Sequence, residues 1–194
     1  MNHTVYDDNY IRSILTNVKS IAMVGASPVN VRPSYFAFKY LVERGYDMIP
    51  INPGQVGKNL VGKPFVGSLR DIGRPVDMVD IFRNSEAAAA VVDEALSLPV
   101  LPKVIWMQLG VSNDAAAAKA EAAGVKVVMN RCPKIEYARL TSEIQWVGVN
   151  SRTISAKRAP IPTSNMRLSL NRSSVSGGAT MAADRAAKDK NDLP

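Results

Sequence analysis

The sequence predicts an α/β fold, a doubly wound parallel sheet with helices on both faces, followed by a mobile tail. Three observations carry that prediction. Short apolar runs end in Gly, Asn or Gln at regular intervals. Helical patterns fill the gaps between them. From about residue 151 the composition changes to Ser, Thr, Asn, Arg, Ala and Pro, which cannot supply a packed core. Strands that alternate with helices imply crossover connections and a sheet buried on both sides.

The elements follow in order. Asp7 or Asp8 caps a first helix running through Val18, with Ile11, Ile14, Leu15 and Val18 at helical spacing. Ser20 to Gly25 is a first strand, apolar throughout as befits burial on both faces, and a Gly-Ala-Ser-Pro turn follows it. Pro33 and Ser34 open a helix with Phe36, Phe38, Tyr40 and Leu41, and Gly45 stops it. Asp47 to Asn52 is the second strand, followed by a loop containing Gly54, Gly57 and Gly62 and a weak strand near residues 64–66. The run from Val76 to Phe82 is a third strong strand, and an alanine-rich helix follows from Ser85 to Leu98. A strand from Lys103 to Gln108, a helix from Asn113 to Ala123 and a strand from Val125 to Met129 complete the series. The first domain is placed at residues 1–150, and residues 151–194 are expected to form a mobile tail with a transient helix from Thr180 to Lys190.

The bulk composition narrows the function classes. In 194 residues, 46% are hydrophobic and 21% charged, values typical of a globular domain rather than a disordered chain. The net charge is +7, of which +4 falls on residues 141–194, where eight basic residues face four acids. Such a tail suits an acidic protein partner. The remaining excess is not arranged with aromatics as a specific nucleic-acid surface would be. Cys132 is the single cysteine, so no internal disulfide forms, and no apolar run approaches the ~20 residues of a membrane span. The start carries no pattern of a secretory signal, and a cytoplasmic location is expected.

In an open parallel sheet, ligands bind beyond the carboxyl ends of the strands, where strand order reverses. Those ends carry Gly25-Ala-Ser-Pro28, Asn52-Pro-Gly54, Phe82-Arg-Asn84, Gln108-Leu-Gly110 and Asn130-Arg-Cys-Pro133. Gly25 permits close backbone approach, Ser27 offers a hydroxyl, and Arg32 precedes a helix whose N-terminus favours anions, a combination suited to phosphate. The alternative is that Gly25 and Ser27 only build a tight turn. A dinucleotide fingerprint is missing: Ser27 and Asn30 stand where its second and third glycines belong, and the second strand ends in Asn52 instead of an acid. No triphosphate loop motif occurs either.

Taken together, Val24-Gly-Ala-Ser27, Arg32-Pro-Ser-Tyr35, Ile51-Asn-Pro53, Val76-Asp-Met-Val-Asp-Ile-Phe-Arg83, Trp106-Met-Gln-Leu-Gly-Val111 and Met129-Asn-Arg-Cys-Pro-Lys-Ile-Glu136 resemble the stand-alone bacterial CoA-binding domain proteins. These are Rossmann-like relatives of the CoA-binding domain of the succinyl-CoA synthetase alpha subunit. The resemblance spans about residues 10–141 in the same order. It implies that Gly25, Ala26, Ser27 and Pro28 face the phosphates of coenzyme A or an acyl-CoA, with Arg32 nearby. Asn52 and Pro53 would border the adenine and ribose, and Phe82, Arg83 and Gln108 would line the groove for the pantetheine. For Arg83 the competing assignment is an ordinary surface charge.

Catalysis is not expected. The synthetase mechanism needs a phosphorylated histidine, and the only histidine here is His3, in a segment expected to fray. Hydrolytic triads and His/Cys metal clusters lack members. Cys132 lies between Arg131 and Pro133 with Lys134 nearby, so positive neighbours would favour the thiolate and disulfide exchange with the CoA thiol, whereas a buried filler role is the commoner one. Asp77 and Asp80 are three apart on a strand and therefore point to opposite faces. Lys58 and Lys63 are read as solvated charges that could also face the CoA phosphates. Two other classes compete: an NAD(P)-dependent oxidoreductase, and an interaction protein that uses its basic tail.

Overall fold

A computed structural model of the chain describes residues 2–141. The expected tail, 151–194, and its transient helix lie outside the described residues. The elements are α1 (Asp8–Asn17), β1 (Ser20–Val24), α2 (Pro33–Glu43), β2 (Asp47–Ile51), β3 (Asn59–Leu60), β4 (Lys63–Pro64), β5 (Met78–Ile81), α3 (Ser85–Leu96), β6 (Val104–Met107), α4 (Asp114–Ala122), β7 (Lys126–Val128) and α5 (Pro133–Leu140). Five strands form one sheet in the order β2-β1-β5-β6-β7, and every pairing in it is parallel. The chain moves outward from β1 to β2, returns across β1 to β5, and then continues to β6 and β7. The strand order therefore reverses between β1 and β5.

Strand alternation divides the core into two layers. Ala22, Val79, Ile81, Ile105, Met107 and Val127 pack under α3 and α4. Ile21, Met23, Met78, Val104, Trp106 and Val128 pack under α1, α2 and α5. Each central strand carries apolar residues in both layers, which explains their uninterrupted apolar runs. Trp106 is fully buried, and its indole N–H is satisfied by the carbonyl of Arg131 at 2.8 Å.

The local signals set the helix ends. The Asp7 carboxylate accepts from the Asn9 N–H at 2.8 Å at the start of α1, and the side chains of Asn84 and Asn113 cap α3 and α4 by accepting from Ala87 and Ala116. Pro33 occupies the first turn of α2, where its missing N–H costs nothing. Gly45 and Gly124 follow α2 and α4 with φ of +85° and +80°, the left-handed conformation that ends a helix.

Three features differ from the expectations. The weak strand near residues 64–66 is a hairpin of β3 and β4, and only Val66 makes a bridge to the edge strand, opposite Ile51. Helix α5 was not expected from spacing, because eight residues beginning at a proline carry too few periodic apolar positions. Its place is set by burial of Ala138 and by Glu136, which is 3% exposed and held by Arg139 at 2.8 Å. The amino-terminal segment is also anchored. His3 bonds the Tyr6 hydroxyl at 2.9 Å and lies 3.5 Å from Glu121, while the Tyr6 oxygen accepts from the Met129 N–H at 2.7 Å. The reason is tertiary: the end of β7 offers an unpaired N–H that Tyr6 satisfies. Among the described residues, no helix is long and apolar enough to cross a membrane.

Candidate functional site

The carboxyl ends of β1 and β5 lie side by side at the reversal of strand order. Gly25 leaves β1 with φ of +86°, and a Cβ there would sit 2.3 Å from the Phe82 carbonyl oxygen and 2.9 Å from Cδ of Arg83. Only glycine fits this crossing. The β1–α2 loop thus runs directly beneath the first residues after β5, and its shape depends on that contact.

Neighbouring loops are tied by side-chain amides. Asn52 donates through Nδ2 to the Ala26 carbonyl at 2.8 Å and accepts at Oδ1 from the Gly54 N–H at 3.1 Å. Asn130, itself at φ of +56°, accepts from the Gly110 N–H at 2.7 Å. The Ser27 hydroxyl oxygen accepts from the Val29 N–H at 3.2 Å, which shapes the turn and leaves its O–H to donate elsewhere. Ala26 is fully buried, so its side chain belongs to the core and only its backbone faces the loop.

Beside this edge is a cleft of about 460 Å³, lined by Pro33, Phe36 and Ala37 of α2, by Phe82, Arg83, Gln108, Leu109 and Val111, and by Cys132, Lys134 and Ile135 at the start of α5. Of the ten candidate residues, Phe82, Arg83 and Gln108 line it. Gly25, Ala26, Ser27 and Pro28 adjoin it through the Gly25–Arg83 contact, and Asn52 is linked to them through Ala26. Arg32 is exposed at the N-cap of α2, immediately before the cleft residue Pro33, and its side chain makes no capping bond. Pro53 is exposed at the start of a short turn beyond β2. Lys63 is drawn away from this edge: it lies 3.5 Å from Asp47 at the amino end of β2, so it does not face the β1–α2 loop. Lys58 bonds Gln55 at 3.0 Å.

Sequence reasoning missed Phe36, Leu109 and Ile135 as cleft residues. Phe36 and Leu109 are 51% and 39% exposed, among the large apolar side chains of the described residues that packing leaves at the surface. The start of α5 brings Lys134 to the same cleft as Arg83. The site is therefore a largely apolar cleft whose lining includes two cations, suited to an anion that carries an apolar arm.

Two buried groups lie beneath it. Asp80 is fully buried, and its oxygens accept from Gln108 Nε2 at 3.0 and 3.3 Å. Burial pushes its carboxyl up to about 8, although the Gln108 bond opposes the shift. Asp77 behaves oppositely. Partial burial raises it, yet Lys103 at 2.7 Å and the N–H groups of Lys19 and Ser20 prevail and hold it at about 2. Asp77 lies just before β5 and Asp80 within it, and the two acids sit in different environments. For Cys132 the environment favours the filler role over the reactive one: burial, aided by the charge of Asp80, pushes its thiol up to about 11, and the nearby Lys134 does not reverse this. The thiol is not activated.

The parallel sheet, its reversal of strand order and the glycine crossing define a domain of the doubly wound α/β class. The CoA binding domain family model matches residues 19–138, and the chain belongs to that family. Its relatives include the uncharacterized protein YneT of Bacillus subtilis, 35% identical over 128 residues that cover 66% of this chain and 92% of that protein. The fold is also that of a Thermus thermophilus protein described as cell-free ID.343, 36% identical, with a TM-score of 0.65 over 70% of this chain and 99% of the other. A hypothetical protein from Pyrococcus horikoshii OT3 is 36% identical, with a TM-score of 0.66 over 73% of this chain and 99% of the other.

Proposed function

We propose that this chain binds coenzyme A or an acyl-CoA in the cleft beyond β5 and β6, without catalysing a reaction itself, as a cytoplasmic sensor or accessory protein. The observation that carries this reading is that two cations, Arg83 and Lys134, line the same cleft as the apolar Phe36, Leu109 and Ile135. Such a surface complements a phosphorylated head joined to a thioester-bearing arm. The loop at Gly25–Pro28 and Arg32 supply further phosphate contacts, and Asn52 and Pro53 border the nucleoside.

The non-catalytic assignment rests on chemistry. His3 is engaged by Tyr6 and Glu121 and is not among the residues lining the cleft. Cys132, the nucleophile at the cleft, is held as a thiol. The ionisable groups that do reach the rim, Arg83 and Lys134, are suited to binding charge.

Calorimetric titration with CoA, acetyl-CoA, NAD and NADP tests the proposal. Saturable one-to-one binding of CoA, weakened by Ser27→Ala and Arg83→Ala, is the expected result. Tight NAD binding with no response to CoA overturns it and favours the oxidoreductase class.

A further inference from the structure

Asp80 opposes folding. It is a carboxyl group in the middle of a buried strand, and an apolar residue of similar size would pack there without the desolvation penalty. Strand alternation turns it to the same side as Met78, the side covered by α2 and α5. Both of its oxygens lie within hydrogen-bond distance of one atom, Gln108 Nε2.

Gln108 links that buried group to the cleft. It is 5% exposed, and it nevertheless lines the trough between Phe82 and Leu109. Its carboxamide has one donor nitrogen and one acceptor oxygen. Asp80 engages the nitrogen. No buried side-chain polar atom among the described residues lacks a hydrogen-bond partner, so the remaining Gln108 oxygen is not sealed unpaired in the core. Arg83 and Lys134 on the rim are cations and cannot replace Asp80 as the acceptor for that nitrogen.

We propose that Asp80 is a positioning residue, which grips Gln108 by its nitrogen and thereby fixes the carboxamide oxygen toward the cleft as an acceptor for an amide N–H of the ligand. This rests on the CoA reading, because the pantetheine arm of CoA carries such amide donors. It gives the pantetheine end of the site its polarity: an acceptor in an otherwise apolar trough. It also supplies a reason for keeping a carboxyl where folding disfavours one.

A double-mutant cycle on the full chain tests this, with CoA affinity read by calorimetry and stability by thermal melting. Asp80→Leu is expected to bind CoA about tenfold more weakly with an equal or higher melting temperature, since one oriented hydrogen bond is lost while a buried polar group is removed. Asp80→Asn keeps an oxygen for the Gln108 nitrogen and should stay within about threefold of the unmodified chain. In a Gln108→Ala background, Asp80→Leu should have no further effect on affinity. Asp80→Val repeats the cycle if the leucine variant does not fold. Unchanged affinity in Asp80→Leu, or an equal loss with and without Gln108, overturns the inference. Failure of the unmodified, folded chain to bind CoA overturns the underlying reading instead.

Discussion

Gly25 and Phe82 cross so closely that a single added carbon on Gly25 would meet the Phe82 carbonyl oxygen at 2.3 Å. The oxygen is main chain and cannot swing aside. The crossing joins the ends of two neighbouring strands, so the loop shape and the strand spacing depend on each other. Gly25→Ala is expected to destabilise the domain by about 3 kcal/mol or more, from left-handed strain and overlap combined. Chemical denaturation reads this as a lower midpoint. An unchanged midpoint would show that the crossing is not rigid.

Arg83 contrasts with Gly25, because it is exposed and its stem only passes over the glycine. Arg83→Ala should leave stability within about 0.5 kcal/mol. CoA affinity should fall by about tenfold or more, as for loss of a charge-assisted contact to phosphate, and the deficit should shrink in high salt. Calorimetry at two ionic strengths, with a thermal melt as control, distinguishes this from a structural defect.

Asp80 and Asp77 give opposite pH dependences. The folded pKa of Asp80 is raised from 3.8 to about 8, so between those values the folded chain keeps a proton that the unfolded chain releases. Stability therefore falls as pH rises through that window and levels off above it. For Asp77 the folded value is lowered to about 2, so its stabilisation is present above pH 3.8 and is lost as pH falls toward 2. Melting curves across pH should show Asp80→Asn flattening the neutral-side decline and Asp77→Asn flattening the acid-side one. If both variants keep the parent's profile, these environments are wrongly assigned.

Cys132 should react sluggishly. A thiol pushed up to about 11 by burial holds little thiolate at neutral pH. Alkylation of the folded chain is expected to be at least about tenfold slower than of the same cysteine after unfolding. Mass spectrometry after timed labelling checks it. Labelling at the unfolded rate, or a stable mixed disulfide on exposure to oxidised CoA, would reinstate a reactive role.

The fold was largely legible because each strand advertises itself twice. Apolar runs such as Ile21-Ala-Met23 and Val104-Ile-Trp-Met107 mark burial on both faces, and the asparagines and glycines that follow mark the turns. Helix α5 was not legible, since Pro133 and the seven positions that follow it carry no strong period and Glu136 argues for exposure. Burial of that glutamate needs Arg139, whose position is fixed only when the helix packs. Asp80 offered a signal that was not used: an acid inside an apolar run is either an error of assignment or a functional group.

The sequence by itself determined the alternation of elements, the strand ends at which the candidate residues gather, and the family to which those motifs belong. These depend on local periodicity and turn chemistry, which act over a few residues. Tertiary structure decided which strand ends become neighbours, that Lys63 turns away to Asp47, that Cys132 is a part-buried thiol with a raised pKa, and that Phe36, Ile135 and Lys134 join Arg83 around one cleft. The physical reason is that burial and electrostatic environment belong to the packed layers, created when α2 and α5 close over the sheet, and residues far apart in the chain contribute to them together.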